Sequence, residues 1–495
     1  MSPVFLRREL TDAENWSFLL CALLFIVLNS LTLSSLPVVW LDEVMFAEPA
    51  INLASGNGFV SYAWNTRTPD EFWAGYVPLH AFLLAGWLKL WGIGPQSVRW
   101  FSCAMLLLTV FFIWQGVIRL NLIRDRILRI TLVGLIIGGY GVTFSYRSAR
   151  PDSLMMLLAA LAFFSLSIKT LKIRKAFLLV VGLLASFAGL QLVVFFLVIG
   201  ALACVFDHRK YLADLLVLVG GAFLGLFVLY CIYQWNEVWD DFLRVNFYQI
   251  TIVGENSLQK KLSEFYIKFG GFFRDASFLI VLTVAVALAL RRIILHSMKL
   301  YSLLAFGLVA AIVIPVGIFV AGAYPIYYSW MAYLPLSICT VAELDSINDS
   351  VSPIKRLLAF GATIVPALLG LPLLTAIALI DRDGRSFKLM DEIANDCVNA
   401  SDVVWTEPGS YYSSKAIARR VFLGYHQPSL SERNTVNVVI VRPTDVKNLS
   451  TLYGGKWVAC GPRVSPQKPP IIGNQTTSIM FRKYDLQAYR KINPT

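Results

Sequence analysis

The chain has 495 residues, 57% of them apolar and 15% charged, with 33 Phe and a mean hydropathy of +0.65. A soluble domain of ordinary make-up is about a quarter charged and under half apolar, so a chain built only of water-soluble domains is excluded. The formal charge of +12 is accounted for by basic connections between apolar blocks; it does not call for nucleic acid, and no nucleic-acid motif is present.

Roughly 20 apolar residues cross a bilayer core as a helix, each rising about 1.5 Å. Blocks of that kind are predicted near 16–40, 98–118, 130–146, 153–168, 176–189, 190–206, 212–234, 277–295, 300–321, 329–344 and 357–380, eleven in all. The first block has no small-residue cleavage site behind it and reads as a retained span. Basic connections, such as Arg119 to Arg129, Lys169 to Lys175 and Arg291 with Arg292, alternate with connections poorer in Lys and Arg. Basic short loops stay in the cytoplasm, which places the N-terminus inside and the alternate loops outside.

The first outer loop, 41–97, opens with Asp42-Glu43 at the membrane–water boundary. Carboxylates there are costly unless solvated, paired or functional, although an Asp-Glu at a helix end is more often a cap or a solvated pair. A helix is predicted over 43–54, stopped by Gly56-Asn57-Gly58. Leu79 to Leu90 is apolar but short and carries His80, Trp87 and Lys89, so it is expected to lie along the interface as a helix. The second outer loop is tiny and holds Arg147, Arg150, Pro151 and Asp152. Its ordinary reading is a helix start, with Pro ending the previous helix and Asp152 capping the next. The fourth outer loop, 235–276, mixes Trp235, Trp239, Phe242 and Phe247 with Arg244, Lys260, Lys261, Lys268 and Arg274.

After Ile380 the apolar blocks stop and turn residues become frequent. Strands are predicted at 403–405, 436–442 and 457–460, with a helix over 411–422, so residues 381–495 read as a small α/β domain outside the membrane. The fold class is therefore an all-α polytopic transmembrane domain (1–380) followed by that α/β domain. Cys397 and Cys460 are the only tail cysteines, in a compartment that permits disulfides; a bridge and two buried free thiols are both open. His80 has no second His nearby, and no metal-ligand cluster or cofactor is expected.

Asp42-Glu43 followed by Ala50-x-x-Leu53-x-x-Gly56-x-Gly58 resembles the first outer loop of the GT-C polyprenyl-phosphate-sugar glycosyltransferases. Leu90-Trp91-Gly92 with Arg99-Trp100, and Arg150-Pro151-Asp152-Ser153-Leu154, are similar to later motifs of that superfamily, whose nearest groups are protein O-mannosyltransferase-like and lipid A aminoarabinose transferase-like. The resemblance is strongest over 16–210, and Val77-Pro78 stands where Pro-Pro is usual. It implies transfer of a sugar from a polyprenyl phosphate to an envelope glycan, lipid or protein on the periplasmic side of a bacterial inner membrane. Asp42 would be the general base, supported by Glu43, with Asp152 orienting the acceptor or Arg150. The departing phosphate needs cations, for which Arg150, Arg147, Lys89, Lys260, Lys261 and Arg274 are the candidates. Tyr76 and His80 would contact substrate. Two other classes fit the composition: a transporter of lipid-linked sugars, for which Gln191 is the main mid-span polar candidate, and a non-catalytic envelope-assembly protein.

Overall fold

The computed structural model describes residues 12–64, 71–206, 209–252, 265, 268–295, 302–320, 323–347, 361, 363–424, 429–469 and 479–492. Eleven helices lead the chain: α1 (Asp12–Thr32), α2 (Leu41–Ala54), α3 (Leu79–Trp91), α4 (Pro95–Arg119), α5 (Arg126–Gly138), α6 (Tyr140–Arg147), α7 (Asp152–Ser165), α8 (Leu171–Ala188), α9 (Leu190–Val205), α10 (Arg209–Trp235) and α11 (Trp239–Ile252). Further helices follow at Ala276–Ile294, Leu303–Val320, Trp330–Ile347 and Leu371–Ile380. Among the described residues six helices are long and apolar enough to cross a membrane, or seven if the bent pair α5–α6 counts as one. Helices stand at the other predicted positions too, but α7, α8, α9 and Trp330–Ile347 do not meet that length and composition alone. The first block stops at Thr32, earlier than its apolar run suggests. The chain is an integral membrane protein.

In a bilayer, helices associate through close packing of small residues more than through apolar transfer. The contact of α8 with α10 follows that rule. A Cβ on Gly182 would lie 2.0 Å from the Leu218 carbonyl, and one on Gly221 2.3 Å from the Leu179 carbonyl. The two backbones approach because neither residue carries a side chain there.

The helix predicted from Glu43 begins at Leu41 and ends as expected, with Gly56 and Gly58 at φ +79° and +87°. Positive φ is where glycine is free and other residues are strained. Most of α2 is buried, so it is an internal element beneath the tail domain.

The tail forms one five-stranded sheet in the order β2-β1-β3-β5-β4, from β1 (Val403–Thr406), β2 (Arg420–Leu423), β3 (Val438–Val441), β4 (Lys456–Val464) and β5 (Leu486–Ile492). The first three pair in parallel, while β5 runs antiparallel to both β3 and β4. β3 is buried along its whole length, the Val/Ile run of a strand covered on both faces. Two differences from expectation stand out. The helix predicted over 411–422 ends at Ile417, and its remainder is β2; β5 was not anticipated. Cys397 and Cys460 form a disulfide, with Cα atoms 5.7 Å apart.

The sheet sits directly on the segment between α1 and α3. The Tyr484 hydroxyl accepts from the Val39 N–H at 3.0 Å, Lys415 Nζ donates to Asn52 Oδ1 at 2.8 Å, and Arg420 stacks 4.8 Å from the Tyr62 ring centroid.

Candidate active site

The site grows from a break in a helix. At Gly139 the path from α5 into α6 bends by 50°, and the polar backbone atoms exposed by the break are paired inside the protein. Tyr140 N–H donates to Ser277 Oγ at 2.9 Å, Gly370 N–H donates to the Gly138 carbonyl at 2.8 Å, and the Tyr333 hydroxyl donates to the Leu135 carbonyl at 2.9 Å. Non-helical backbone at membrane depth survives only when so satisfied. The bend aims the end of α6 at α2. There the chain turns through Ala149, at φ +53°, and Pro151 into α7.

This turn delivers Arg150 between two carboxylates. Its Nη1 is ion-paired directly with Asp42, and its Nε donates to Asp152 Oδ2 at 3.0 Å. The guanidinium lies 3.7 Å from the Tyr327 ring centroid and 4.9 Å from that of Phe46, positions at which a ring face attracts a cation. Arg150 and Asp152 are buried, whereas the Asp42 side chain is 25% exposed, so only Asp42 of the three opens toward solvent. Asp152 does not cap α7; it is its first residue, pinned by Arg150.

Ser153 Oγ and His80 Nε2 are buried here without a hydrogen-bond partner, and Trp330 lies against Asp152 as a hydrogen-bond donor. Native proteins leave few such atoms, and a group of them marks a place where a ligand can complete the pairing. Burial, with the Arg150 charge adding to it, pushes the His80 imidazole down to about 3, so His80 is neutral. The Tyr76 hydroxyl donates to Gln191 Oε1 at 2.6 Å.

No family model and no curated protein sequence matches the chain. Solved structures do. Apo ArnT from Cupriavidus metallidurans aligns with a TM-score of 0.60 at 14% identity, covering 98% of this chain and 100% of that one. The fold is that of the GT-C glycosyltransferases. ArnT from the same organism bound to undecaprenyl phosphate aligns at 0.58 and 10% identity with the same coverage. AglB from Archaeoglobus fulgidus, an oligosaccharyltransferase in complex with an inhibitory peptide and a dolichol-phosphate, aligns at 0.50 and 10% identity, covering 89% of this chain and 71% of that one.

Within this GT-C frame the predicted residues separate into two groups. Asp42, Arg150 and Asp152 come together, with His80 and Tyr76 near them. Glu43 does not join Asp42. Successive helical residues point about 100° apart, and Glu43 faces inward to Arg99, which holds it through Nε at 3.0 Å and Nη2 at 2.7 Å. Burial keeps the Glu43 carboxyl above its ordinary value, against the pull of Arg99. Arg147 is also a structural residue: fully buried, it donates to the Leu36 carbonyl at 2.7 Å, Thr32 Oγ1 at 3.0 Å and Asn29 Oδ1 at 3.1 Å, tying α6 to the end of α1. Each of its three nitrogens donates to a protein acceptor, and the structure does not bring it to Arg150's two carboxylates.

Lys89 is exposed on α3, nine residues from His80, or about 13 Å along the axis. Arg274 is exposed in the turn before Ala276–Ile294. Neither is brought to Arg150, and Lys260 and Lys261 lie outside the described residues. Sequence reading missed Tyr327, and it quoted Arg99 within a motif without giving it the role of partner to Glu43. It also missed Glu48, whose carboxylate accepts from the Tyr62 and Ala63 N–H groups (2.9 and 3.1 Å) and from Ser61 Oγ, fixing the loop after α2.

Proposed function

We propose that the chain is a membrane glycosyltransferase that moves a sugar from a polyprenyl-phosphate donor to an envelope acceptor, with inversion. The observation that carries this reading is the placement of Arg150 between a half-open carboxylate, Asp42, and a buried one, Asp152. The acceptor hydroxyl oxygen attacks the anomeric carbon, the bond from that carbon to the phosphate oxygen breaks, and Asp42 takes the hydroxyl proton. The phosphate leaves with its negative charge facing Arg150, whose planar fork suits bidentate phosphate binding. Asp42 is ion-paired with Arg150; a phosphate competing for that guanidinium would release the carboxylate to act as base. Asp152, held by Arg150 at 3.0 Å, would orient that guanidinium or accept from an acceptor hydroxyl.

An apolar cavity of about 570 Å³ supports a lipid donor: it is lined by Phe195, Trp330 and Leu334 near Asp152, and by Cys204, Leu212 and Leu303 farther along the bundle. Under this reading the chain crosses the bilayer eleven times from a cytoplasmic N-terminus in a bacterial inner membrane, with the transmembrane unit at 1–380 and the 381–495 domain in the periplasm. The disulfide is consistent with an oxidising compartment.

The test is sugar transfer by purified protein in nanodiscs with radiolabelled polyprenyl-phosphate sugars and an envelope extract. Wild type is expected to transfer label, and a folded Asp42→Asn protein to transfer none. Equal transfer by the two would remove Asp42 from the chemistry, and lipid-linked sugar that binds without any transfer would point to a transporter.

A further inference from the structure

A second cavity, of about 330 Å³, lies where the sheet meets the segment leading into α2. Its wall is made by the residues that follow three strands: Glu407 and Pro408 after β1, Gly424 after β2, and Arg442 after β3. These are the carboxyl ends of the three parallel strands. In open α/β sheets ligands bind outside those ends, where the strand order changes direction, because connections leaving to opposite sides open a crevice there. The order β2-β1-β3 makes that change at β1, and the cavity occupies the place. Its opposite wall is Val38 to Leu41, so the residue after that wall is Asp42.

The chemistry of the lining is cationic. Arg442 and Arg482 both face Glu407, and Lys483 adds a third cation already committed to Asp381 at 2.6 Å. The Arg482 Nε is a buried donor with no acceptor. Burial and the neighbouring Arg442 hold the Arg482 guanidinium below its ordinary value, and burial holds the Glu407 carboxyl up. Asp485, a second lining carboxylate, pairs with Arg463 at 3.5 Å, and Asp445 adds negative charge beside Glu407, so Glu407 is the lining carboxylate that faces both arginines and an added anion would relieve them.

We propose that this cavity is an acceptor subsite that binds a phosphate or carboxylate group on the incoming glycan, with Arg442 and Arg482 as its ligands. The inference rests on the glycosyltransferase reading and narrows it to an anionic acceptor. Residues 38–41 connect the two places: they wall the cavity and continue into the turn that carries the base. A polyprenyl phosphate shares the anionic chemistry, so the test separates the two sources.

Full-length protein in neutral-lipid nanodiscs is titrated with glucose 6-phosphate, galacturonate and neutral glucose, with binding followed by saturation-transfer NMR. The charged sugars are expected to bind and glucose not to. Arg442→Gln and Arg482→Gln should each weaken binding about tenfold or more, as expected for loss of a charge-assisted hydrogen bond, and Glu407→Gln should tighten it. Arg442 is exposed, so its variant is expected to fold even where the Arg482 variant does not. Absence of binding, equal binding by the Arg442 variant, or displacement of the sugar phosphate by undecaprenyl phosphate would each overturn the proposal. Binding needs no turnover, so Asp42→Asn protein should retain it. If that protein still transferred sugar, the catalytic reading would fail while this site stood.

Discussion

Glu43→Gln should damage the fold and spare the chemistry. The Arg99 guanidinium and Glu43 carboxylate are joined by two hydrogen bonds of 2.7 and 3.0 Å, a third Arg99 donor reaches the Leu33 carbonyl at 2.6 Å, and the side chains are 1% and 0% exposed. At a separation near 4 Å and an effective dielectric of about 20, the pair attracts by about 4 kcal/mol. Removing one partner leaves the other charge buried and uncompensated, for an expected loss of about 3–5 kcal/mol. Arg99→Met should cost a similar amount, and the double variant far less than the sum, because it leaves neither charge buried alone. The assay is a double-mutant cycle on unfolding in detergent, with sugar transfer measured per folded molecule. Two results would refute the reasoning: single losses that simply add, or a Glu43→Gln protein as stable as wild type that has lost turnover. The second would return Glu43 to the active site.

His80 gives a pH-dependent difference. Its folded value near 3 lies below the ordinary 6.5, so its neutral form contributes stability that is complete above pH 6.5 and is lost as pH falls from 6.5 toward 3. At pH 4.5 the loss amounts to about 2.7 kcal/mol, and His80→Phe should abolish that part of the acid sensitivity in melts at pH 7 and 4.5. Reducing the Cys397–Cys460 bridge, which spans a sequence separation of 63, should destabilise the tail by about 4 kcal/mol, visible as earlier proteolysis of residues 381–495 under dithiothreitol. Undiminished resistance would show that the bridge adds nothing. Gly221→Leu should force α8 and α10 apart and cut the yield of folded protein, whereas Gly220→Leu, with open space where its Cβ would stand, should be tolerated; equal yields would contradict the packing described.

The sequence disclosed what depends on local periodicity. Apolar block length located the helices, Gly56 and Gly58 marked the end of α2, and the alternation of apolar and turn-rich segments announced an α/β tail. Asp42 and Arg150 stood out through the motifs that carry the family resemblance, Asp42-Glu43 and Arg150-Pro151-Asp152. Pairings across the fold were not visible: no spacing rule links Glu43 to Arg99, or Arg147 to Leu36 and Asn29. Tyr327 is one aromatic among many until its ring is seen on Arg150. β5 escaped because its Arg490 and Lys491 look like surface residues, although Arg490 pairs with buried Asp402 at 2.6 Å. β2 escaped because four residues after a short helix read as its last turn.

The break at Gly139 bears on how the site opens. Straightening α5 and α6 into one rod would give the Tyr140 amide and the Gly138 carbonyl helical partners, but it would strand the buried Gly370 N–H and Tyr333 hydroxyl that now donate to the kink, each orphan costing about 1–3 kcal/mol. Ser145 Oγ, one turn on, also donates to the Tyr327 carbonyl at 2.8 Å, so the ring over Arg150 is tethered to the same kink. The kink is therefore an anvil rather than a hinge. A cross-link spanning Gly139 should therefore leave the transfer proposed above unchanged, and loss of transfer on cross-linking would show that the kink has to move.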